Sequence, residues 1–324
     1  MRKFLAALAT AASLSFTAEG SAQPQPYPAG PIRLTVPYGT GGLTDIVARI
    51  VAPGLADSLG QPVIVENRPG ANGRIGHEYV ANARPDGYTI SVATSELAVN
   101  PVLFKRVPYD ALKDFSPVSL VMLVPTVLVV HPSVQAQSVQ ELIAFAKANP
   151  GKLNYGSAGT GSANHLVTEV FMNAAGIEAL HIPYKGGGAV MADLVGGQIQ
   201  FTFATIPAAI SHVSSGRLRA LGISTLKRSP AMPDVPTVAE SALPGFDAST
   251  WLGIFAPKDT PPAVVDALNR AVLKSVQRAD IVERLEAQGA EIVGSAPARL
   301  RSHLSAEIAR WEKLAKEVKF EKAE

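Results

Sequence analysis

Alternation between strand and helix patterns constrains the fold of this chain more than any other feature. Residues 32–36 alternate apolar and polar side chains, and residues 46–59 then carry apolar side chains at helical spacing. A strand, a helix and a further strand follow at 62–66, near 76–83 and at 88–93. This β-α-β-α-β order predicts an α/β fold in which helices cover a parallel or mixed sheet.

The rest of the chain repeats the alternation and is long enough for two lobes. The predicted strands are 153–155, 179–184, 200–205, 218–224 and 250–256, and the predicted helices are 163–175, 189–195, 262–278 and 297–318. Single cores stop growing near ~250–300 residues, and this chain has 324. Strand-like residues on both sides of Pro125 indicate a crossing between lobes, and the proline-rich stretch 228–244 indicates the return. We predict one lobe from residues 27–124 plus 236–324, a second from 125–235, and a cleft between them.

The N-terminus has the pattern of a secretory signal. Arg2 and Lys3 precede an uncharged apolar run at 4–16, and small residues stand at Gly20 and Ala22. The run is shorter than the ~20 residues that a membrane-spanning helix needs. We predict that residues 1–22 are a signal peptide and that the rest of the chain is exported to the periplasm. A buried N-terminal helix is the alternative.

Composition excludes several functions. The chain has no cysteine, which rules out disulfides, thiolate catalysis and thiolate metal sites. The formal net charge is only +2, and aromatic residues make up 6% without a basic stripe, so nucleic-acid binding is not expected. After the N-terminal run no segment has the length and apolarity of a membrane span, which predicts an unanchored protein.

Two glycine-rich loops share one design, since each leaves a predicted strand and enters a predicted helix. They are 37–44, Pro-Tyr-Gly-Thr-Gly-Gly-Leu-Thr, and 156–162, Gly-Ser-Ala-Gly-Thr-Gly-Ser. Glycine lets a backbone approach a ligand closely, and the helix N-terminus behind each loop has unpaired N–H donors and a partial positive charge. Loops from opposite lobes would form an anion site across the cleft, with hydroxyl groups as further donors. A tight turn without a ligand is the alternative for either loop alone.

The other polar patterns do not indicate catalysis. The second loop lacks the Lys-Ser/Thr of a P-loop, and the first lacks the third glycine of a dinucleotide fingerprint. His77-Glu78 lacks the second histidine of a zinc helix motif, and the chain contains no G-x-S-x-G elbow. Asp45 and Arg49, four residues apart, are expected to support their helix. His165 is expected to pack or cap, and no metal or cofactor is expected.

Eight segments, in order over nearly the whole chain after the signal, resemble one family. They are Val36-PYGTGGLTDIVAR-Ile50, Val65-ENRPGANGRIG-His77, Ala83-RPDGYTI-Ser91, Tyr155-GSAGTGSANH-Leu166, His181-IPYKGGGAVMADLVGG-Gln198, Gly216-RLRALGIS-Thr225, Pro233-DVPTVAES-Ala242 and Trp251-LGIFAPKDT-Pro261. With these segments the chain resembles the Bug family of extracytoplasmic solute receptors, the binding components of tripartite tricarboxylate transporters.

The resemblance implies a two-lobed periplasmic binding protein of type II, a Venus flytrap whose lobes are mixed sheets flanked by helices. It also implies that one ligand carboxylate lies between the two glycine-rich loops. The implied ligand-binding positions are Tyr38, Thr40, Gly41, Gly42 and Thr44 in the first loop, Ser157, Thr160, Gly161, Ser162 and His165 in the second, and Asp193 at the far end of the ligand. Glu96 departs from the small, hydroxyl-rich stretch that is usual there. In the cleft, Glu96 would repel a second carboxylate or recognise an amine or hydroxyl; at the surface it would do neither.

The sequence therefore predicts a periplasmic receptor, not an enzyme, that captures a small organic carboxylate for a secondary transporter. The ligand would be a di- or tricarboxylate, an aromatic acid or an amino acid, and lobe closure would present it to the membrane subunits. Presentation to a periplasmic sensor is a second hypothesis, and a hydrolase on the same scaffold is a third. For the hydrolase hypothesis, the sequence shows no identifiable nucleophile–base pair and no set of metal ligands. The receptor is expected to be a monomer.

Overall fold

The computed structural model describes residues 27–317 and residue 322, so the predicted signal peptide at 1–22 lies outside the described residues. Strands and α-helices alternate along most of the described chain. The strands are β1 (Ile32–Val36), β2 (Val63–Asn67), β3 (Thr89–Ala93), β4 (Phe115–Val124), β5 (Thr126–Val130), β6 (Asn154–Ser157), β7 (Leu180–Pro183), β8 (Phe201–Thr205), β9 (Arg219–Ile223), β10 (Thr250–Pro257) and β11 (Glu291–Ile292). The helices are α1 (Leu43–Leu59), α2 (Arg74–Ala81), α3 (Glu96–Leu103), α4 (Val139–Ala148), α5 (Ala163–Ala175), α6 (Gly187–Val195), α7 (Ile206–Ser214), α8 (Val238–Ser241), α9 (Pro262–Ser275), α10 (Ala279–Glu286) and α11 (Pro297–Glu317). The alternation is interrupted where β5 follows β4 and where α10 follows α9.

The strands form two sheets, one in each lobe. In the first sheet, ordered β11-β4-β10-β3-β1-β2, β1 is parallel to β2 and β3, whereas β10 is antiparallel to β3 and β4. In the second sheet, ordered β7-β6-β8-β5-β9, β6 is parallel to β7 and β8, whereas β5 is antiparallel to β8 and β9. Both sheets are mixed and are flanked by helices, which confirms the predicted fold class.

Two crossings connect the sheets. Strand β4 ends at Val124 and β5 begins at Thr126, so the outward crossing is the single residue Pro125. On the return, Phe246 and Ala248 are still buried in the core of the second lobe, and β10 of the first sheet begins directly afterwards. The lobe boundaries inferred from the sequence remain predictions, and this packing leads us to propose that the return crossing follows Ala248.

Several helices escape prediction from sequence patterns. Helix α3 is buried on nearly all sides, with Leu97, Ala98 and Val99 inaccessible to solvent, and it contains Pro101. A helix without a polar face has no amphipathic period, so its pattern does not indicate a helix. The predicted end of the helix at 262–278 is wrong, because α9 ends at Ser275 and the chain turns before α10 begins.

Helix α1 packs closely against α9 and α10 at Gly54. The Ser275 hydroxyl of α9 donates a hydrogen bond to the Val51 carbonyl oxygen, 3.1 Å away. A Cβ added to Gly54 would meet the Ser275 side chain and would lie 2.7 Å from Ile281 Cδ1. Glycine at this position therefore lets the helices approach each other, despite its low helix propensity.

Replacing Gly54 should destabilise the first lobe. We expect Gly54→Ala to lower the free energy of unfolding by about 1–3 kcal/mol, the usual cost of overpacking, as measured by urea denaturation. Gly30→Ala is the control, because a Cβ at Gly30 meets nothing within 4 Å. A Gly54→Ala protein that is more stable than the wild type would show that helix propensity outweighs the close contact.

Candidate ligand-binding site

The predicted loops lie at matching positions in the two sheets. Loop 1, residues 37–42, follows the carboxyl end of β1 and enters α1, and loop 2, residues 158–162, follows β6 and enters α5. Loop 3, residues 184–186, follows β7 and enters α6. Because β6 and β7 are parallel neighbours, loops 2 and 3 leave the same edge of the second sheet. Ligands of α/β sheets bind at such carboxyl edges, so these loops form the candidate site.

The buried carboxylate of Asp45 holds loop 1 in place. Asp45 Oδ2 accepts a hydrogen bond from the Gly41 N–H, and Oδ1 accepts one from Asn67 Nδ2, both at 2.9 Å. Arg49 Nε donates to the same carboxylate at 3.0 Å. Burial alone would raise the pKa of Asp45, but the hydrogen bonds from Arg49, Gly41 and Asn67 outweigh it and lower the pKa to about 2. The Asp45–Arg49 pair thus supports its helix and also shapes the loop.

Several glycines at the loops are not required by the fold itself. The backbone at Gly41 does favour glycine, because its φ of +83° lies in the left-handed region. Gly39 and Gly42 have no positive φ, and an added Cβ would meet nothing within 4 Å at Gly39 and only one oxygen, at 3.8 Å, at Gly42. A Cβ at Gly187 or Gly188, at the start of α6, also meets nothing within 4 Å. Space therefore remains open in front of loop 1 and of the first turn of α6.

In the part of the chain that the structure describes, the N-cap residues of α1 and α5 make no side-chain hydrogen bond to their helices. The N-cap of α1 is Gly42, and the N-cap of α5 is Ser162, whose hydroxyl makes no hydrogen bond to the helix N–H groups. The Ser162 hydroxyl lies instead 2.6 Å from the Gly159 carbonyl oxygen. The N–H groups in the first turn of each helix are therefore available to an acceptor from outside.

A cluster of histidine and tyrosine side chains supports loop 2. Ser157 Oγ lies 2.6 Å from His181 Nε2, and the Gly161 N–H donates to His165 Nδ1 at 3.3 Å. The two imidazole centroids are 4.3 Å apart, and the Tyr155 ring stacks on His181 at 4.8 Å. Burial, with a further effect of His181, lowers the pKa of His165 to about 3, and burial also lowers the pKa of His181. Both rings are therefore neutral near pH 7.

The Ser157–His181 contact has the distance of a nucleophile–base pair, but it lacks access to a substrate. Ser157 is inaccessible to solvent, and its hydroxyl also lies 3.1 Å from the Gly159 carbonyl oxygen. Ser157, one of the predicted ligand-binding positions, supports loop 2 through these two contacts, and its contact with a ligand remains a prediction. Sequence reasoning misses His181 because it lies on β7, 24 residues from Ser157, and only the fold brings the two together.

Asn72 joins loop 2 to the first lobe and is a second residue that sequence reasoning misses. A Cβ built on Gly161 would lie 3.2 Å from Asn72 Nδ2, and one built on Gly73 would lie 3.1 Å from the Tyr38 hydroxyl. Asn72 Nδ2 also donates to Asn100 Oδ1 at 2.9 Å. The turn formed by Asn72 and Gly73 therefore lies between loops 1 and 2. The left-handed backbone of Asn72, with φ of 54°, is typical of an Asn-Gly turn, which is the sequence signal that could have indicated it.

A second contact between the lobes is apolar. Leu166 and Val170 of α5 pack with Leu103 of α3 and with Trp311 and Leu314 of α11. We call this cluster the lobe contact. It begins one residue after His165, so it lies beside the first turn of α5 and keeps loop 2 next to the first lobe.

The remaining predicted positions differ in their access. Thr40 and Thr160 are exposed, whereas Thr44 is buried in the first turn of α1. Asp193 Oδ2, on α6, accepts a hydrogen bond from the Tyr184 hydroxyl at 2.8 Å, which places Asp193 beside loop 3. Burial and the nearby Asp193 carboxylate raise the pKa of Tyr184 to about 12. The contacts of these side chains with a ligand remain predictions.

Glu96 lies in the first turn of α3 and is half-buried, not at the open surface. Its carboxyl group interacts with the Tyr38 hydroxyl, which lies 3.2 Å from Thr94 Oγ1. Burial raises the pKa of Glu96 to about 7, although hydrogen bonds from its own N–H and from Tyr38 oppose the shift. Glu96 is therefore part of the surroundings of loop 1.

His77 belongs to an aromatic cluster. Its ring centroid lies 5.5 Å from that of Tyr109 and 6.2 Å from that of Phe115. Burial lowers the pKa of His77 to about 3. Over the residues that the structure describes, no group of three or more His, Cys, Asp or Glu side chains is placed to hold a metal ion. No helix in the same part of the chain has the length and apolarity to cross a membrane.

Two mixed sheets, joined by two crossings and carrying open loops at their carboxyl edges, define a solute-binding protein of the periplasmic binding class. A family model described as "Tripartite tricarboxylate transporter family receptor" matches residues 47–320. The chain belongs to this receptor family, which confirms the resemblance drawn from the sequence.

Individual relatives agree with this assignment. Protein BugT of Bordetella pertussis is 43% identical over 90% of this chain and 90% of its own length. The periplasmic binding protein BugD has a TM-score of 0.76 and 35% identity, over 92% of this chain and 100% of that chain. A protein of R. palustris solved with adipate has a TM-score of 0.76 and 36% identity, with 90% and 97% of the two chains covered. MatC from Rhodopseudomonas palustris with bound malate has a TM-score of 0.75 and 33% identity, with 89% and 99% covered.

Acidification should destabilise the protein through His77. An unfolded histidine has a pKa near ~6.5, whereas the folded pKa is about 3. Between these values only the unfolded state binds the proton, so each unit of falling pH costs about 1.4 kcal/mol for this group. His77→Phe should therefore reduce the pH dependence of the unfolding free energy by about one proton, measured by urea denaturation between about pH 6 and pH 4. Equal slopes for the two proteins would contradict a buried, neutral His77.

Proposed function

We propose that this chain is a periplasmic receptor that binds a small organic carboxylate between loops 1 and 2. One carboxylate of the ligand accepts hydrogen bonds from N–H groups in the first turns of α1 and α5. The exposed hydroxyls of Thr40 and Thr160 supply further donors. A partial positive charge at each helix N-terminus favours the anion, so the site needs no lysine or arginine.

The observation that carries this proposal is the pair of uncapped helix N-termini, one from each lobe. Open glycines lie in front of the first of them, at Gly39 and Gly42, where neither the backbone nor packing requires glycine. A ligand that approaches the backbone does require it, because a Cβ would occupy the space that the ligand takes. The relatives solved with adipate and malate support the class of ligand, since both of these molecules are dicarboxylates.

The far end of the ligand lies near loop 3 in this proposal. Asp193 and Tyr184 form a hydrogen-bonded pair there, and the open glycines at the start of α6 leave room beside them. Together they offer a carboxylate acceptor and a hydroxyl group that contact the part of the ligand beyond its first carboxylate. Loop 3 therefore contributes selectivity, whereas loops 1 and 2 hold the group that all the ligands share.

Transport follows from closure of the lobes on the ligand. A ligand that contacts both lobes stabilises the closed state by the difference between its binding free energies for the closed and the open state. We propose that the closed monomer delivers the ligand to the membrane subunits of a tripartite tricarboxylate-type transporter, and that it releases the ligand unchanged and is not an enzyme. Residues 1–22 act as the signal peptide for export.

A carboxylate should raise the thermal stability of the protein. After unfolding and refolding to remove co-purified ligand, the unfolding midpoint is measured with mono-, di- and tricarboxylates, aromatic acids and amino acids. A ligand at ~100 times its dissociation constant adds about 2.7 kcal/mol to the free energy of unfolding. A selective rise with one class of carboxylate is expected. A rise with neutral or cationic solutes only would contradict the site.

Removing hydroxyl donors from loop 2 should weaken binding without unfolding the protein. For Thr160→Ala combined with Ser162→Ala we expect a loss of affinity of about 1.5–3 kcal/mol for the Thr160 donor to the charged group. The second substitution also removes the hydrogen bond from the Ser162 hydroxyl to the Gly159 carbonyl oxygen. Isothermal titration calorimetry measures the loss. Ser305→Ala, an exposed hydroxyl on α11, is the control and should bind as the wild type does. Unchanged affinity in the double variant would exclude these two hydroxyls from the site.

A further inference from the structure

The surroundings of Glu96 lie at the junction of the two lobes. Thr94 contacts the loop 1 residue Tyr38, and the adjacent Ser95 lines a small void together with Ala163 and Leu166 at the start of α5. Glu96 follows directly and interacts with the Tyr38 hydroxyl. The carboxyl group therefore stands beside loop 1, and the residue before it, Ser95, lies where the first turn of α5 approaches the first lobe.

One oxygen of this carboxyl group is left without a partner. Glu96 Oε2 is buried, and it makes no hydrogen bond within the described chain. A buried acceptor without a donor is costly, and a buried carboxylate without a cation is more costly still. The carboxyl group can therefore accept a hydrogen bond from a donor, or pair with a cation, that the described residues do not supply.

The titratable groups around Glu96 do not provide that cation. Those that interact with it electrostatically are the hydroxyls of Tyr38 on loop 1 and of Tyr109. Arg74 of α2 interacts electrostatically with Tyr109 and is not among the groups that shift the pKa of Glu96. Its guanidinium donates instead to the carbonyl oxygens of Ala71 and Arg106, at 2.9 and 2.7 Å. No ion pair joins Glu96 to any lysine or arginine that the structure describes.

We propose that Glu96 determines the specificity of the receptor, and that the preferred ligand is a carboxylate that also carries an ammonium group. The carboxylate lies on loops 1 and 2, and the ammonium group lies close enough to Glu96 to compensate its charge. Opposite charges interact strongly within ~4–6 Å when both are shielded from water. This inference rests on the proposed carboxylate site and adds the chemical class of its ligand.

A different ligand would be expected if Glu96 kept its proton. A neutral carboxyl group donates a hydrogen bond, and it would accept a second carboxylate of the ligand as its partner. The two cases differ in the effect of pH. An ammonium group prefers the ionised carboxylate, so a proton on Glu96 competes with it, whereas a second carboxylate binds together with the proton.

Pairs of ligands that differ only in the ammonium group test the proposal. Calorimetry at about pH 7.5 compares aspartate with succinate and glutamate with glutarate on the purified, refolded protein. For at least one pair we expect the amino compound to bind at least tenfold more tightly, the scale of one charge-assisted hydrogen bond. Glu96→Gln should remove this preference. Glu78→Gln, which changes the net charge equally at an exposed position on α2, should retain it.

The pH dependence of ligand affinity tests the proposal on the wild-type protein alone. In the wild type the affinity for the amino compound should fall as the pH decreases from about 8 to 5.5, because a proton on Glu96 then competes with the ammonium group. An affinity for succinate or glutarate that rises with acidification and exceeds that of the amino compounds would overturn the proposal. Equal binding within each pair would overturn it and leave the carboxylate site intact. The absence of binding by every carboxylate would overturn the site and the inference together.

Discussion

Two crossings of the chain between its sheets determine what the rest of the molecule can do. At Pro125 a strand of one sheet passes into a strand of the other with one residue between them. On the return, which we place after Ala248, the chain leaves the core of the second lobe and enters β10 at Thr250. Short paired connections of this kind restrict the lobes to a hinge-like motion. Because parallel strands direct their following loops to one edge of a sheet, this geometry gives two loop-bearing edges that come together at the lobe contact.

The two lobes stabilise similar loops by different chemistry. In the first lobe an ionised carboxylate, Asp45, accepts a loop N–H and is balanced by Arg49. In the second lobe the neutral His165 accepts the corresponding N–H at Gly161, and His181 contacts Ser157 below it. The groups that hold the loops are therefore either paired, as Asp45 is with Arg49, or neutral, as His165 is. In the proposed site the local field therefore comes from the helix ends and from Glu96, and not from the groups that hold the loops.

Much of this architecture follows from local sequence pattern, and the remainder depends on contacts between distant residues. The strands and long helices show clear periodicity, and glycine-rich turns mark loops 1 and 2, so the fold and the loop positions could be predicted. Helix α3 could not, because burial on all sides removes its period. The roles of His181 and Asn72 arise only when β7 and the turn before α2 meet loop residues far along the chain. Glu96 could be singled out from the sequence, but its burial beside Tyr38 could not be deduced.

Leu166 and Trp311 bring the lobes together although neither belongs to loop 1, 2 or 3. Apolar burial of this kind stabilises the arrangement in which the lobes touch by roughly 25 cal/mol per Å², whichever molecule occupies the cleft. The apparent dissociation constant equals the intrinsic constant divided by the fraction of receptor that is competent to bind. Substitutions in the lobe contact would therefore shift the concentration range over which the receptor fills, for all its ligands together. The order in which it ranks those ligands would stay unchanged, so the fold allows sensitivity and selectivity to be adjusted independently.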